Sequence, residues 1–223
     1  MLPGARVREL STADDPSFGP AIELYERSFP NKNERESLES IRHRLRPERI
    51  SYPGSTRRRH FLVCEDGDRV VGMRIHDYAF GTGLGWLVYL AVDESARGHG
   101  IGALLLRCGI ESCRLDALFS QDVFRGAVME VERVEDSRDE EERRIREARI
   151  RFFIRHGARK LTGSYVQPAL RPDSEPVPLN LFIVGWQTEP DQAEKRAIVC
   201  DFMTRLWEFD ELDPLVERAL ADF

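Results

Sequence analysis

The stretch from Trp86 to Cys108, WLVYLAVDESARGHGIGALLLRC, constrains the fold more than any other part of the chain. Trp86-Leu-Val-Tyr-Leu-Ala-Val92 is apolar on both alternating faces, the pattern of a strand covered on both sides. Asp93-Glu-Ser-Ala96 ends that run. Arg97-Gly-His-Gly-Ile-Gly102 then carries glycine at every second position, and Ala103-Leu-Leu-Leu-Arg-Cys108 continues with good helix formers. A buried strand, a Gly-rich turn and a helix therefore follow one another. Glycines at this spacing let main-chain N–H groups meet a ligand, while the helix start adds unsatisfied donors and the positive end of a dipole. The turn is predicted to hold an anion, most naturally a pyrophosphate. It lacks the Gly-Lys-Ser/Thr ending of a Walker A loop, and Gly-x-Gly-x-Gly is not the Gly-x-Gly-x-x-Gly of a Rossmann unit.

Any such anion must bind locally, because the chain as a whole is acidic, with a formal net charge of -6. That balance argues against nucleic acid or an anionic membrane as a partner. MLPGARVREL carries charges and proline where a secretion signal needs an apolar core, and no run approaches the length of a membrane span. A cytoplasmic location is expected. Cys64, Cys108, Cys113 and Cys200 show no C-x-x-C spacing, so they are read as reduced core residues, with no metal site.

The 223 residues suit one domain, or one domain with an appendage. Arg6 to Leu10 alternates as a first strand, and Phe18, Ala21, Ile22, Tyr25 and Phe29 recur at helical spacing up to Pro30. A second helix, starting near Asn33, presents Leu38, Ile41 and Leu45. His60 to Cys64 and Arg69 to Ile75 form a hairpin through Asp66-Gly67, continuing to Phe80 and a glycine-bearing turn. After the central unit, Gly126 to Glu132 is a strand, and Ser137-Arg-Asp-Glu140 has capping-box spacing for a helix with a stripe of Ile145, Ala148 and Phe152. Lys160 to Val166 and Leu179 to Trp186 are two more strands, and the Pro-bearing connection between them, Gln167 to Pro178, is a candidate lid. Asp191 to Phe223 is helical, with Ile198, Val199, Phe202, Met203 and Leu206 on one stripe.

LAVDESARGHGIGALLL resembles the acetyl-CoA signature of the GCN5-related N-acetyltransferases (GNAT), in which Leu-Ala-Val is followed by Arg/Gln-x-x-Gly-x-Gly/Ala; Arg97, Gly100 and Gly102 match. The resemblance implies an α/β (α+β) fold with a mixed, mostly antiparallel central sheet flanked by helices. Residues 1–187 would form the acyl-CoA-binding domain, and 188–223 a C-terminal helical extension packed on it or at a homodimer contact. It implies acetyl-CoA as acyl donor, without a metal, and a small-molecule or peptide amine as acceptor. The pantetheine arm would pair with Leu90, Ala91 and Val92, and the pyrophosphate would rest on Arg97, Gly98, His99, Gly100, Ile101, Gly102 and Ala103.

Acyl transfer needs a neutral amine, and a lysine-type amine, with a reference pKa of about 10.4, must first lose a proton. The glutamate that some GNAT members place before the aromatic of the central strand falls at Trp86, and the tyrosine often placed as general acid falls at Phe153. Both usual groups are therefore absent. Glu130 and Glu132, on one face of the neighbouring strand, are the candidate bases, and Tyr165 is the candidate proton donor. His76 and Asp77 are weaker candidates. Glu34 is a candidate for holding the amine, and Arg57-Arg-Arg-His60 for meeting the phosphates of CoA. The alternative function is a non-catalytic acyl-CoA-binding sensor or interaction module that keeps the GNAT-like fold without transfer chemistry.

Overall fold

The computed structural model describes residues 4–45, 56–170 and 173–223. A central sheet runs in the order β1-β2-β3-β4-β5-β8-β6, with β7 paired to β8. Its strands are β1 (Ala5–Glu9), β2 (Arg57–Asp66), β3 (Arg69–Ala79), β4 (Leu84–Val92), β5 (Gly126–Glu132), β6 (Arg159–Thr162), β7 (Val166–Gln167) and β8 (Val177–Val184). Every pairing is antiparallel except that of β4 with β5. The mixed, mostly antiparallel sheet that the family resemblance implies is what forms.

The parallel pair is short. β4 and β5 are in register only at Leu84↔Gly126, Gly85↔Ala127 and Trp86↔Val128. Beyond Trp86 the two strands part, and the edge of β4 that faces β5 runs on to Val92 without that neighbour. A bulge in β4 accompanies the fork: Ile75 faces Tyr89 while His76 faces Leu87, which leaves Val88 as the extra residue. Consequently Val88 and Tyr89 both turn to one face of the sheet, where Val88 touches two apolar clusters.

That face carries two separate packing units. Under β1 to β4 lie α1 (Phe18–Ser28) and α2 (Leu38–Arg44), which bury Phe18, Ala21, Tyr25 and Ile41 against Phe61, Ile75 and Tyr89. Under β5 to β8 lie α5 (Gln192–Asp201), a π-helical turn (Phe202–Leu206) and α6 (Pro214–Ala219), which bury the predicted stripe, Ile198, Val199, Phe202, Met203 and Leu206, on this chain's own sheet. At about 25 cal/mol per Å2 of apolar surface, such side chains each contribute roughly 1.5–3 kcal/mol when fully buried. The other face is covered by α3 (Ile101–Phe119) and α4 (Glu140–Arg155).

Several local readings shift. The second predicted helix divides into a 3-10 turn (Lys32–Glu34) and α2, because the Ser37 side chain caps Ser40 N–H and starts the helix later. The N-cap of α4 is Asp139, whose carboxylate accepts from Glu142 N–H at 2.8 Å, while the Ser137 hydroxyl donates to the Val134 carbonyl instead. The predicted stripe of α4 is also displaced: Ile145 and Ala148 are exposed, and Ile150, Phe152 and Phe153 provide its half-buried contact. α4 is strongly charged, and its apolar contact is confined to these residues near its C-terminal end, which pack with Met129, Val131 and Phe182 of β5 and β8. Lys160 to Val166 is two strands rather than one, broken at Gly163 by a turn. Within the connection from Gln167 to Pro178, residues 171 and 172 lie outside the described residues. Among the described residues, no helix is long and apolar enough to cross a membrane.

Candidate active site

The Gly-rich turn opens α3 as its spacing requires. Gly98 and Gly100 hold φ of 79° and 81°, a left-handed conformation that a residue with a Cβ adopts only at a cost, and Gly100 is the N-cap of α3. A Cβ at Gly100 would meet no protein atom within 4 Å, so the space above it is open. Arg97 turns back, donating from Nε to the Val92 carbonyl at 3.3 Å, and the Arg97 carbonyl lies 3.0 Å from Nδ1 of His99. The loop therefore ties itself to the end of β4. Gly102 and Ala103 lie in the first turn of α3, with Gly102 against the Phe152 ring. Leu90, Ala91 and Val92 occupy the stretch of β4 that has parted from β5.

Next to this end of β4 is a cleft of about 1110 Å3, lined by Val92 and Arg97, by Glu132 on β5, by Phe29 and Glu34 between α1 and α2, and by Arg149 on α4. Glu132 is ion-paired with Arg149 across it. Glu34 accepts from Asn31 Nδ2 at 2.8 Å through its side chain and from the Tyr89 hydroxyl at 3.1 Å through its carbonyl. Tyr89 in turn accepts from Glu36 N–H at 3.0 Å, so β4 itself fixes the loop between the two helices.

Glu130 lies in the fork. It is two residues beyond Val128, the last β5 residue paired to β4, and faces the side of α1, α2 and the C-terminal segment. Three side chains from two directions donate to it: Trp86 Nε1 to Oε2 at 3.0 Å, Gln167 Nε2 to Oε1 at 3.2 Å, and the Tyr165 hydroxyl to Oε1. A carboxylate has about four lone-pair positions, so one on Oε2 is left to receive a further proton donor. Burial pushes the Glu130 carboxyl up to about 7, and although the three donors pull it down, desolvation wins, with help from the nearby Glu36 charge. The residue is only half-buried, so its oxygens remain within reach of solvent or a ligand. Tyr165 is fully buried, and burial together with Glu130 lifts its hydroxyl well above the ordinary value, keeping it a donor.

The remaining candidates are committed elsewhere. Arg59 grips Asp77 through Nε and Nη2, both at 2.7 Å, and reaches Glu36 at 2.9 Å. This buried triad ties β2 and β3 to the start of α2. Arg58 and His60 both bind Asp116 on α3, and His60 also binds Glu9; burial opposes the His60 charge, but these carboxylates raise it to about 9. Arg57 donates to the Leu206 carbonyl at 3.2 Å. The basic cluster is thus largely consumed within the sheet. His76 stacks on His60 at 4.7 Å and is fully buried, away from the fork. Phe153 is half-buried against the apolar cluster beside Phe152. Trp86 and Gln167 were legible only as an absent glutamate and a loop residue; their function as donors to Glu130 depends on pairings far apart in sequence.

Residues 57–157 match the family model described as an acetyltransferase (GNAT) domain. Over that stretch, somewhat less than half of its length, the chain is similar to a GNAT acetyltransferase domain. No curated protein matches it. Among solved structures, a protein described as a GNAT-family acetyltransferase from Bacteroides thetaiotaomicron is similar over 92% of this chain and 99% of its own, with TM-score 0.64 and 21% identity. An acetyltransferase of the GNAT family from Staphylococcus aureus Mu50 covers 81% of this chain and 98% of its own, with TM-score 0.52 and 15% identity. The ribosomal-protein-S18-alanine N-acetyltransferase from Escherichia coli covers 84% and 97%, with TM-score 0.50 and 13% identity. At these identities the likeness is one of fold. The forked β4–β5 pair and the Gly-rich start of α3 both lie within the matched GNAT domain.

Proposed function

We propose that this chain is an N-acetyltransferase that moves an acetyl group from acetyl-CoA to a primary amine by direct attack, with Glu130 as general base. The observation that carries the reading is a half-buried carboxyl, held by Trp86, Tyr165 and Gln167 with one lone pair left over, in the fork where β4 and β5 part; its burial raises it to about 7. The unpaired edge of β4 over Leu90, Ala91 and Val92 offers main-chain groups to an amide-bearing arm. Open space above Gly100, with N–H groups of Gly98 to Ala103 at the start of α3, suits a pyrophosphate.

In the reaction the amine nitrogen attacks the acetyl carbonyl carbon. Glu130 takes the proton that nitrogen sheds, directly or through one water, using the lone pair that Trp86 leaves free. The C–S bond then breaks with its electron pair on sulfur, and the thiolate takes a proton from solvent. Tyr165, expected from the sequence to supply that proton, is instead assigned to holding Glu130. Glu132, neutralised by Arg149, has no need to act as base.

The test is thiol release from acetyl-CoA in the presence of a panel of primary amines, from polyamines to N-terminal peptides, with wild type and Glu130→Gln compared from pH 5.5 to 9. Amine-dependent release by wild type, lost in the variant, is expected. Tight acetyl-CoA binding without amine-dependent release would favour the binding-module reading.

A further inference from the structure

The side chains that hold Glu130 are themselves held by the C-terminal segment. Trp86 packs edge-on against Phe202 at 5.6 Å and at a tilt against Trp207 at 5.0 Å, and Tyr165 packs on Phe202 at 5.8 Å. The π-helical turn places both aromatics. It ends with Trp207 N–H donating to the Phe202 carbonyl at 3.3 Å, and Glu208, at φ 60°, then swings Phe209 back to stack on Trp207 at 6.5 Å. A non-glycine residue in that conformation is held there by its surroundings.

The segment is anchored at both ends. Asp201 pairs with Arg125 at the start of the turn, and Asp222, near the C-terminus, accepts from the Thr162 and Ser164 hydroxyls and from Gly163 N–H. Trp207 Nε1 is buried close to the Tyr165 hydroxyl at a geometry short of a hydrogen bond, so its contribution is the ring rather than the N–H.

We infer that Trp207 is a positioning residue for Glu130: its indole fixes Trp86 on the carboxylate and keeps water from that side of the fork. The inference rests on the reading of Glu130 as the base. The groups that bear on Glu130 from the elements packed around it are Tyr165 and Gln167 on the β7 side, Trp86 on β4 and Glu36 ahead of α2. Removing the indole admits water and loosens one donor. These act in opposite directions, but desolvation is the largest influence on Glu130, so the net effect is a fall.

The experiment follows the Glu130 carboxyl by carbon NMR in the full chain, with Glu130→Gln for assignment, alongside pH profiles of kcat/KM. Trp207→Ala should lower the Glu130 titration by roughly one unit, and the ascending limb of the profile with it, while Trp207→Phe restores both to within about 0.3 unit. A folded Trp207→Ala with both unchanged would overturn the inference. Should Trp207→Ala fail to fold, Trp207→Leu is measured instead and judged by the same criterion. A shifted titration in a protein whose wild-type activity has no limb near pH 7 would uphold the role of Trp207 and overturn Glu130 as base, so the two failures are distinguishable.

Discussion

The donor loop and the fork around Glu130 are built in opposite ways. The loop from Val92 to Ala103 is one continuous stretch whose proposed ligand contacts come from its own backbone, through left-handed glycines and the N–H groups of a helix start. The fork draws Trp86, Glu130, Tyr165, Gln167 and Trp207 from segments up to 121 residues apart, and each acts only through the others. A backbone-made site shows itself as a motif. A site made by side-chain convergence is silent until the topology is known, and it is the part that a family can rebuild while the fold persists.

The largest effect separating the two regions should come from Glu130→Gln. It removes the proposed base and should lower kcat/KM by about 10²–10⁴-fold while leaving acetyl-CoA binding within roughly twofold. In wild type, Glu130 holds its proton below about 7, so kcat/KM should fall about tenfold per pH unit below that value and level off above it. The linked stability has the opposite sign. A carboxyl raised from 4.5 to about 7 on folding favours the native state at low pH, and that stability is lost as pH rises through about 7. Thermal melts of Glu130→Gln should lack this decline.

Tyr165→Phe should have an intermediate effect. Its hydroxyl pulls the Glu130 carboxyl down, so removing it should move the ascending limb upward by about half to one unit and reduce activity at pH 7 by roughly 2–5-fold. Were Tyr165 the acid that protonates the leaving thiolate, the loss would instead persist at every pH. The smallest effect should come from Asp222→Ala, which frees the turn at Thr162 to Ser164. Asp222 is exposed, so a loss of about 1 kcal/mol and a melting temperature lower by roughly 2–4 °C is expected. Acetyl-CoA affinity should not change.

The order of elements was legible because each strand and helix announces its period locally. Gly126 to Glu132 and the hairpin through Asp66-Gly67 form where their patterns place them. Helix caps were less so: Asp139 and Ser137 are both competent N-caps, and the choice between them depends on where the chain leaves β5. The stripe of α4 misled for a related reason, since periodicity identifies a face but not how much sheet there is to cover it. At the fork, the alternation of β5 placed Glu130 and Glu132 on one side, but not that Arg149 would claim one and Trp86 and Tyr165 the other. The basic run from Arg57 to His60 has the same lesson: partners at Asp77, Asp116 and Glu36 are invisible until β2, β3 and α3 are in register.

The claim on which the rest depends is that acetyl-CoA enters the gap between β4 and β5 with its pyrophosphate on the loop at Gly100. Calorimetric titration with acetyl-CoA tests it without an acceptor, comparing wild type, Glu130→Gln and Gly100→Trp. A bulky side chain at Gly100 enters space that no protein atom occupies but strains a backbone held at φ 81°, so the comparison is made on variant protein whose thermal melt shows it folded. The account predicts micromolar binding by wild type and Glu130→Gln, weakened at least about tenfold in Gly100→Trp, equivalent to about 1.4 kcal/mol. Equal affinity in all three proteins, or no binding by wild type, would contradict it.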